Sequence, residues 1–144
     1  MGKRRRTKAT EAMTEIIEEG KIILINGDSV EVINAGISKA ANTLEDATAG
    51  VMIDFSGLDG KPIDNLLVPL WSVSSKVSNV RKVFAVFGLS EQHKARFEKA
   101  KSMTQDIIVF NDKGTAAGFI IENEKANKKN ADKTFANAEA AVAV

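Results

Sequence analysis

The residues of this chain that could do chemistry are concentrated in one stretch, "DFSGLDGKPIDNLL", residues 54–67. The stretch follows an apolar run and contains three Asp, two Gly, one Ser and one Lys within fourteen residues. Three kinds of function fit such a loop. It could cradle a phosphate, accept a phosphoryl group, or present a protein-binding surface with no chemistry of its own.

The phosphate-cradle hypothesis fails on spacing. A Walker-type loop needs G-x-x-x-x-G-K-[ST], because its backbone amides wrap the phosphates and its hydroxyl binds magnesium. Here Gly57, Gly60 and Lys61 give only G-x-x-G-K-P. Pro62 stands at the hydroxyl position and has no amide proton to donate.

The hypothesis that the loop accepts a phosphoryl group requires the sequence pattern of a receiver domain. Asp54 ends an apolar strand and Lys113 follows the last strand, as a receiver domain requires. Such a domain also needs an acidic pair after its first strand and two strand–helix units before the acceptor. Only Asp28 follows the early strand "IILIN", and one helix separates it from Asp54. The count of elements therefore excludes a receiver domain.

No other catalytic or metal-binding pattern is present in the sequence. His93 is the one histidine, there is no cysteine, and no G-x-S-x-G motif occurs. His93 is expected to be half-buried or solvated. Asp59 and Asp64 could share a proton or a cation, but aspartates in surface loops are usually turn formers and caps. The sequence predicts a protein that is not an enzyme and needs no cofactor or metal.

Length and composition indicate one soluble domain, since the chain has 144 residues, 44% of them hydrophobic and 27% charged. The absence of cysteine and of a long apolar run leads us to expect a cytoplasmic protein. Charge is uneven: five cations lie near the start, and removing them from the net +1 leaves −4 on residues 9–144. The cations are Lys3, Arg4, Arg5, Arg6 and Lys8. This basic arm either makes weak contacts with anions or is a solvated tail, and nucleic acid is not an expected partner of the acidic body.

Hydrophobic periodicity predicts the order β-β-α-β-α-β-α-β-α. A hairpin turns at Glu19-Gly20, a helix follows and is closed by Gly50, and "VMIDF" is a buried strand. A second helix begins at or after about Leu66, and Ser90 caps a third. Two helical faces are predicted to be apolar: Ile33, Ile37, Ala40, Leu44 and Ala47 in the first, and Leu66, Leu70, Val73, Val77 and Val80 in the second.

The fold class expected from this order is α/β, a mostly parallel four- to five-stranded sheet with an initial β-hairpin and about four helices. The domain would span residues 13–121, after a basic arm of residues 1–12. Residues 122–144, rich in Asn, Lys and Ala, are expected to form a frayed helix or a disordered tail.

Five segments in order resemble the STAS family, the domain shared by sulfate transporters and anti-sigma factor antagonists. They are "EIIEEGKIILINGD", "GDSVEVINAGISKAANTL", "VMIDFSGL", "KVFAVFGLSEQHKARFEKA" and "IIVFNDKGTAA". The resemblance as a whole runs from about Thr14 to Ile121. The resemblance implies a STAS-like fold and a bacterial regulatory role based on binding proteins. It also implies partners such as a kinase-like anti-sigma factor or related STAS proteins, and leaves a homo-oligomer open.

The chain departs from the family where members are phosphorylated. Those members carry Asp-Ser-Ser-Gly or Asp-Thr-Ser-Gly at the mouth of the second helix, and the second hydroxyl residue accepts the phosphate. Here Asp64 matches the motif's Asp, and Leu66, which has no oxygen to phosphorylate, stands at the acceptor position. Other hydroxyls are close in sequence but none matches the motif: Ser56, Ser72, Ser74 and Ser75.

The loop is therefore predicted to be a docking surface that is not switched at the usual position. The partner-binding residues expected are Ser56, Asp59, Lys61, Asp64, Asn65, Leu66 and Trp71. One of Leu66 and Leu67 could belong to the core instead, and Trp71 could pack under the helix. The function expected is an anti-sigma factor antagonist or signalling scaffold in a partner-switching pathway. The alternatives are an accessory subunit that binds the ATPase of a lipid-transport ABC system and, ranked last, a small-ligand module.

Overall fold

A computed structural model describes the backbone of residues 13–17 and 20–143 and the side chains of residues 21–129. The basic arm lies outside the described residues. Within them, five strands form one sheet in the order β1-β2-β3-β4-β5. The strands are β1 Met13–Ile17, β2 Gly20–Ile25, β3 Thr48–Asp54, β4 Val83–Phe87 and β5 Ile108–Phe110.

The directions of the strands confirm the predicted fold class. β1 and β2 form an antiparallel hairpin, and β2, β3, β4 and β5 are all parallel to their neighbours. The described part of the chain contains five α-helices, of which α4 is a single turn. They are α1 Val30–Thr43, α2 Leu67–Asn79, α3 Glu91–Lys99, α4 Lys101–Thr104 and α5 Lys113–Ala143. The expected domain boundary after residue 121 falls within α5.

Apolar side chains lie on both faces of the parallel strands, as expected for a sheet with helices on each side. One face carries Ile23, Ile25, Val51, Ile53, Phe84 and Val86 and packs with the buried residues of α1, α2 and α3. The other carries Ile22, Leu24, Met52, Ala85 and Phe87 and packs against Ala116 and Ile120 of α5. This two-layer core makes the sheet a rigid base for the loops at its edges.

Two details of the predicted helices are wrong. The first helix ends at Thr43, because Glu45 and Thr48 form a turn in which the Thr48 N–H donates to the Glu45 carbonyl at 2.9 Å. Gly50 instead lies within β3, where an added Cβ would be 2.8 Å from the Val83 carbonyl oxygen. Val80 follows the last residue of α2 and is 58% exposed, so it is not part of the core.

The prediction for the third helix is confirmed. Ser90 caps α3 by accepting a hydrogen bond from the His93 N–H at 3.2 Å, and Phe97 and Ala100 are buried. Within residues 13–17 and 20–143, no helix combines the length and the apolar character needed to cross a bilayer.

Candidate functional site

The loop of residues 54–66 leaves the carboxyl end of β3 and leads directly into α2. Its first residues are fixed to the sheet. The Asp54 carboxylate accepts from the Ser56 N–H at 2.9 Å, and the Phe55 N–H donates to the Phe87 carbonyl at 2.9 Å. Phe55 is fully buried. The start of the loop is therefore a packed structural element, and only Ser56 there is an exposed hydroxyl.

A contact between two glycines closes the space between this loop and the loop after β2. A Cβ added to Gly57 would lie 2.1 Å from the Gly27 carbonyl oxygen, so the backbones touch. In open parallel sheets, ligands commonly bind in the crevice beyond the carboxyl ends of the strands. Here the chain itself fills the crevice at the point where Gly27 and Gly57 meet.

The tip of the loop is a tight turn. Gly60 has φ of +77°, a conformation that glycine adopts without strain, and the Lys61 N–H donates to the Leu58 carbonyl at 2.9 Å. The Lys61 ammonium donates to the Asp28 carbonyl, which joins the tip to the loop after β2. Asp59 and Lys61 are both exposed at this tip. The turn thus presents two opposite charges on a braced backbone.

Helix α3 holds the second half of the loop through two side chains. His93 Nε2 lies 2.7 Å from the Lys61 carbonyl oxygen, and because a carbonyl only accepts, Nε2 is the protonated nitrogen in this contact. Arg96 Nε donates to the Asp64 carboxylate at 2.5 Å. His93 is 1% exposed and its ring meets the Phe55 ring edge-on at 6.0 Å. The expectation that His93 is half-buried or solvated is wrong, since the loop folds over it.

Leu66 is not an exposed contact residue, so its prediction as part of the docking surface is wrong. A short 3₁₀ turn, Asp64–Leu66, leads straight into α2 and directs Leu66 inward. Leu66 is 0% and Leu67 4% exposed, and Leu66 belongs to the core between the helices and the sheet. Both leucines are core residues. Asp64 and Asn65, by contrast, are exposed at the entrance of the helix.

Trp71 lies on the outer face of α2, which answers the question that the sequence left open. It is 47% exposed, and Val68, one turn earlier on the same face, is 59% exposed. Ser74 is buried and donates to the Trp71 carbonyl at 3.2 Å, whereas Ser72 is exposed. Sequence reasoning missed Val68. Its spacing of three residues from Trp71 was the available signal, because residues i and i+3 are neighbours on a helix.

We use the term docking face for Asp59, Lys61, Asp64, Asn65, Val68 and Trp71, which are all exposed and follow one another from the loop tip into α2. A groove of about 300 Å³ borders it between the loop and α3, lined in part by Pro62, Asp64 and Arg96. Within the described residues, no three His, Cys, Asp or Glu side chains come together in a way that could hold a metal ion. The arrangement offers an apolar pair beside opposite charges on a fixed loop.

Comparison with known proteins supports the fold of this chain. No family model and no curated protein matches the sequence. Among solved structures, the chain is similar to the NMR structure of the protein TM1081, with a TM-score of 0.55 and 11% identity. That match covers 83% of this chain and 98% of the other.

A second similar structure is the murine Solute Carrier 26 family member A9 anion transporter in its inward-facing state. The TM-score is again 0.55 at 11% identity, and the match covers 78% of this chain but 22% of the transporter. That transporter contains a STAS domain. The fold is consistent with a STAS-like fold. At this identity the likeness concerns the fold alone.

Proposed function

We propose that this chain is a non-enzymatic, STAS-type protein-binding module whose partner contacts the docking face. The observation that carries the proposal is the outward position of Trp71 beside Val68. Tryptophan is among the residues that most often dominate the binding energy of protein interfaces. A half-exposed Trp next to an exposed aliphatic residue, with charged residues around them, matches the apolar centre and polar rim of such interfaces.

The bracing of the loop supports a role in recognition. Lys61 contacts the neighbouring loop, and His93 and Arg96 connect the loop to α3. A surface that is already ordered loses less conformational entropy when a partner binds, so more of the contact energy appears as affinity. The docking face is therefore suited to bind a partner without rearrangement.

We further propose a place for the module in a cytoplasmic partner-switching pathway, as an anti-sigma factor antagonist or signalling scaffold. A kinase-like anti-sigma factor or a related STAS protein would be its partner. The burial of Leu66 supports the view that this chain is not phosphorylated at the family's usual position. An unswitched module of this kind would be controlled by its concentration, by its partner, or by another part of its own chain.

The test begins with the protein that co-purifies from native cells at endogenous level. Its affinity is then measured for the parent chain, for Trp71→Ala and for Val80→Ala, by titration calorimetry. Trp71→Ala is expected to weaken binding by about 30-fold or more, the effect of losing a hot spot of about 2 kcal/mol. Val80→Ala is the control, since Val80 is 58% exposed and follows the last residue of α2, at the end of the helix away from the loop.

Equal affinities for the parent chain and Trp71→Ala would refute the docking face as the interface. The identity of the captured protein decides between pathways. A kinase-like protein or an assembly of related domains supports the signalling role. Capture of an ABC ATPase with membrane components would replace that role with the transport accessory alternative, and the same two variants would then test the surface used.

A further inference from the structure

The groove between the loop and α3, which we call the α3 groove, has two different walls. The loop wall carries Pro62, Ile63 and Asp64, and the α3 wall carries Gln92, Arg96 and Lys99. The three residues of α3 are spaced four and three apart, so they lie along one face of the helix. Each of their side chains ends in N–H groups, and two of the three are cationic. The α3 wall is therefore a row of hydrogen-bond donors.

Most of these donors are unused within the chain. Arg96 donates to Asp64 through Nε at 2.5 Å, which leaves both terminal nitrogens of its guanidinium without a partner among the described residues. Within residues 21–129, the side chains of Gln92 and Lys99 form no hydrogen bond and no ion pair. Asp64 balances one of the two cations, so the groove keeps an excess of one positive charge. Free donors and excess positive charge together fit an anionic group.

The size and position of the α3 groove favour a side chain of a protein over a small molecule. Its volume of about 300 Å³ lies at the lower limit of small-ligand pockets, which span roughly 300–1,000 Å³. Asp64 belongs both to the groove and to the docking face, so the two surfaces are continuous. A protein seated on Val68 and Trp71 therefore brings its own side chains to the edge of the groove.

We propose that the protein partner inserts the carboxylate of a glutamate or aspartate into the α3 groove. The inference rests on the proposed function, because it names the chemistry that the partner presents beside Trp71. The carboxylate accepts from the terminal nitrogens of Arg96, whose planar fork matches a carboxylate, and from the Lys99 ammonium. Pro62, exposed on the opposite wall, packs against the methylene groups of the inserted side chain. The partner thus has an acidic residue next to the apolar group that covers Trp71.

The inserted carboxylate contributes specificity and association rate more than raw affinity. The side chain of Arg96 is 38% exposed and Lys99 is exposed, and ion pairs at such positions are individually weak. Lys99→Glu removes one attraction and adds a repulsion of similar size. Partner affinity is therefore expected to fall by about three- to tenfold at about 0.01 M salt, where the Debye length is about 30 Å. At about 1 M salt, where that length is about 3 Å, the difference disappears.

The test measures the affinity of the protein that co-purifies with the parent chain for the parent, Lys99→Glu and Lys76→Glu, at both salt concentrations. Lys76→Glu is the matched control. Both lysines are exposed in the last turn of a helix, so the change affects the two helices similarly, but Lys76 lies on α2 outside the groove. Only Lys99→Glu is expected to weaken binding at low salt. Unchanged affinity, equal weakening by both variants, or a loss that persists at about 1 M salt would overturn the proposal.

The result for Trp71→Ala separates this proposal from the proposed function. Weaker binding of Trp71→Ala with no effect of Lys99→Glu would keep the docking face and refute the inserted carboxylate. Weaker binding of Lys99→Glu with no effect of Trp71→Ala would refute the docking face as the interface, and the α3 groove would stand as the contact.

A synthetic probe tests the chemistry of the groove without the partner. The probe is a short blocked peptide of alternating leucine and glutamate, and the matched peptide has glutamine in place of glutamate. At millimolar concentration and low salt, only the acidic peptide is expected to shift the backbone amide NMR signals of residues 62–64 and 92–99. Lys99→Glu is expected to abolish these shifts. Equal shifts with both peptides, shifts confined to other basic segments such as residues 125–129, or no shifts would overturn the preference for a carboxylate.

Discussion

Truncation of Leu66 tests the central distinction between core and docking face. Leu66 is 0% exposed and lies in the core cluster under α2. Leu66→Ala removes three carbon groups, each contributing about 0.8 kcal/mol when buried. The cavity that remains adds a further cost, so the expected loss of unfolding free energy is about 2–5 kcal/mol. Leu66 is thus expected to be a major contributor to the stability of the domain.

Urea denaturation followed by circular dichroism measures this loss. For an m-value of about 2 kcal/mol/M, the midpoint of Leu66→Ala should fall by about 1–2.5 M. Val68→Ala is the matched control, because Val68 is only two residues away but is 59% exposed. Its free energy of unfolding should change by no more than about 0.5 kcal/mol.

A loss below about 1 kcal/mol for Leu66→Ala, well under the usual cost of a core Leu truncation, would contradict the reasoning. In that case Leu66 would face solvent and would return to the residues expected to contact a partner. An unchanged m-value is needed for the comparison, since a changed one means that the compactness of the denatured or native state has changed or that unfolding is no longer two-state.

Two further predictions concern the opposite end of the molecule and the cap of α5. Glu124→Ala leaves the part-buried Lys82 ammonium without the carboxylate that it contacts at 2.6 Å. The loss of this charged hydrogen bond should cost about 1.5–3 kcal/mol in urea denaturation, and a loss under about 1 kcal/mol would contradict a stabilising pair. The Asp112 carboxylate accepts from the Thr115 N–H and hydroxyl, which lowers its pKa below the ordinary 3.8. The contribution of the Asp112 carboxylate to the free energy of unfolding is therefore complete above pH 3.8 and is lost as the pH falls through the lower pKa of the folded protein. The stability difference between the parent chain and Asp112→Ala should close in acid melts, and a difference that widens there would refute this assignment.

Local patterns in the sequence were enough to predict the order of strands and helices. The apolar runs of β3 and β4, the hairpin and the Ser90 cap depend on neighbouring residues, and such signals survive folding unchanged. The end of α1 was predicted wrongly for the same reason. The apolar spacing continues past Thr43, so the sequence suggested a longer helix that ends at Gly50. Gly50 instead lies in β3, where the Val83 carbonyl and Ile120, both distant in sequence, approach its backbone too closely for a larger residue.

The docking face was only partly predictable. Periodicity places Leu66, Leu70 and Val73 on one stripe of α2, which already indicated that Leu66 is buried. The resemblance to the STAS motif had suggested that Leu66 is exposed. In the structure the 3₁₀ turn directs Leu66 into the core. Trp71 lies off that stripe, so a helical pattern alone left both of its orientations open.

Which residues form helices and strands is thus determined by the sequence over short distances, because propensity, capping and periodicity act between neighbours. Which side chains remain exposed is decided by contacts across the fold. His93 is buried because the Lys61 carbonyl, 32 residues away, comes to its ring.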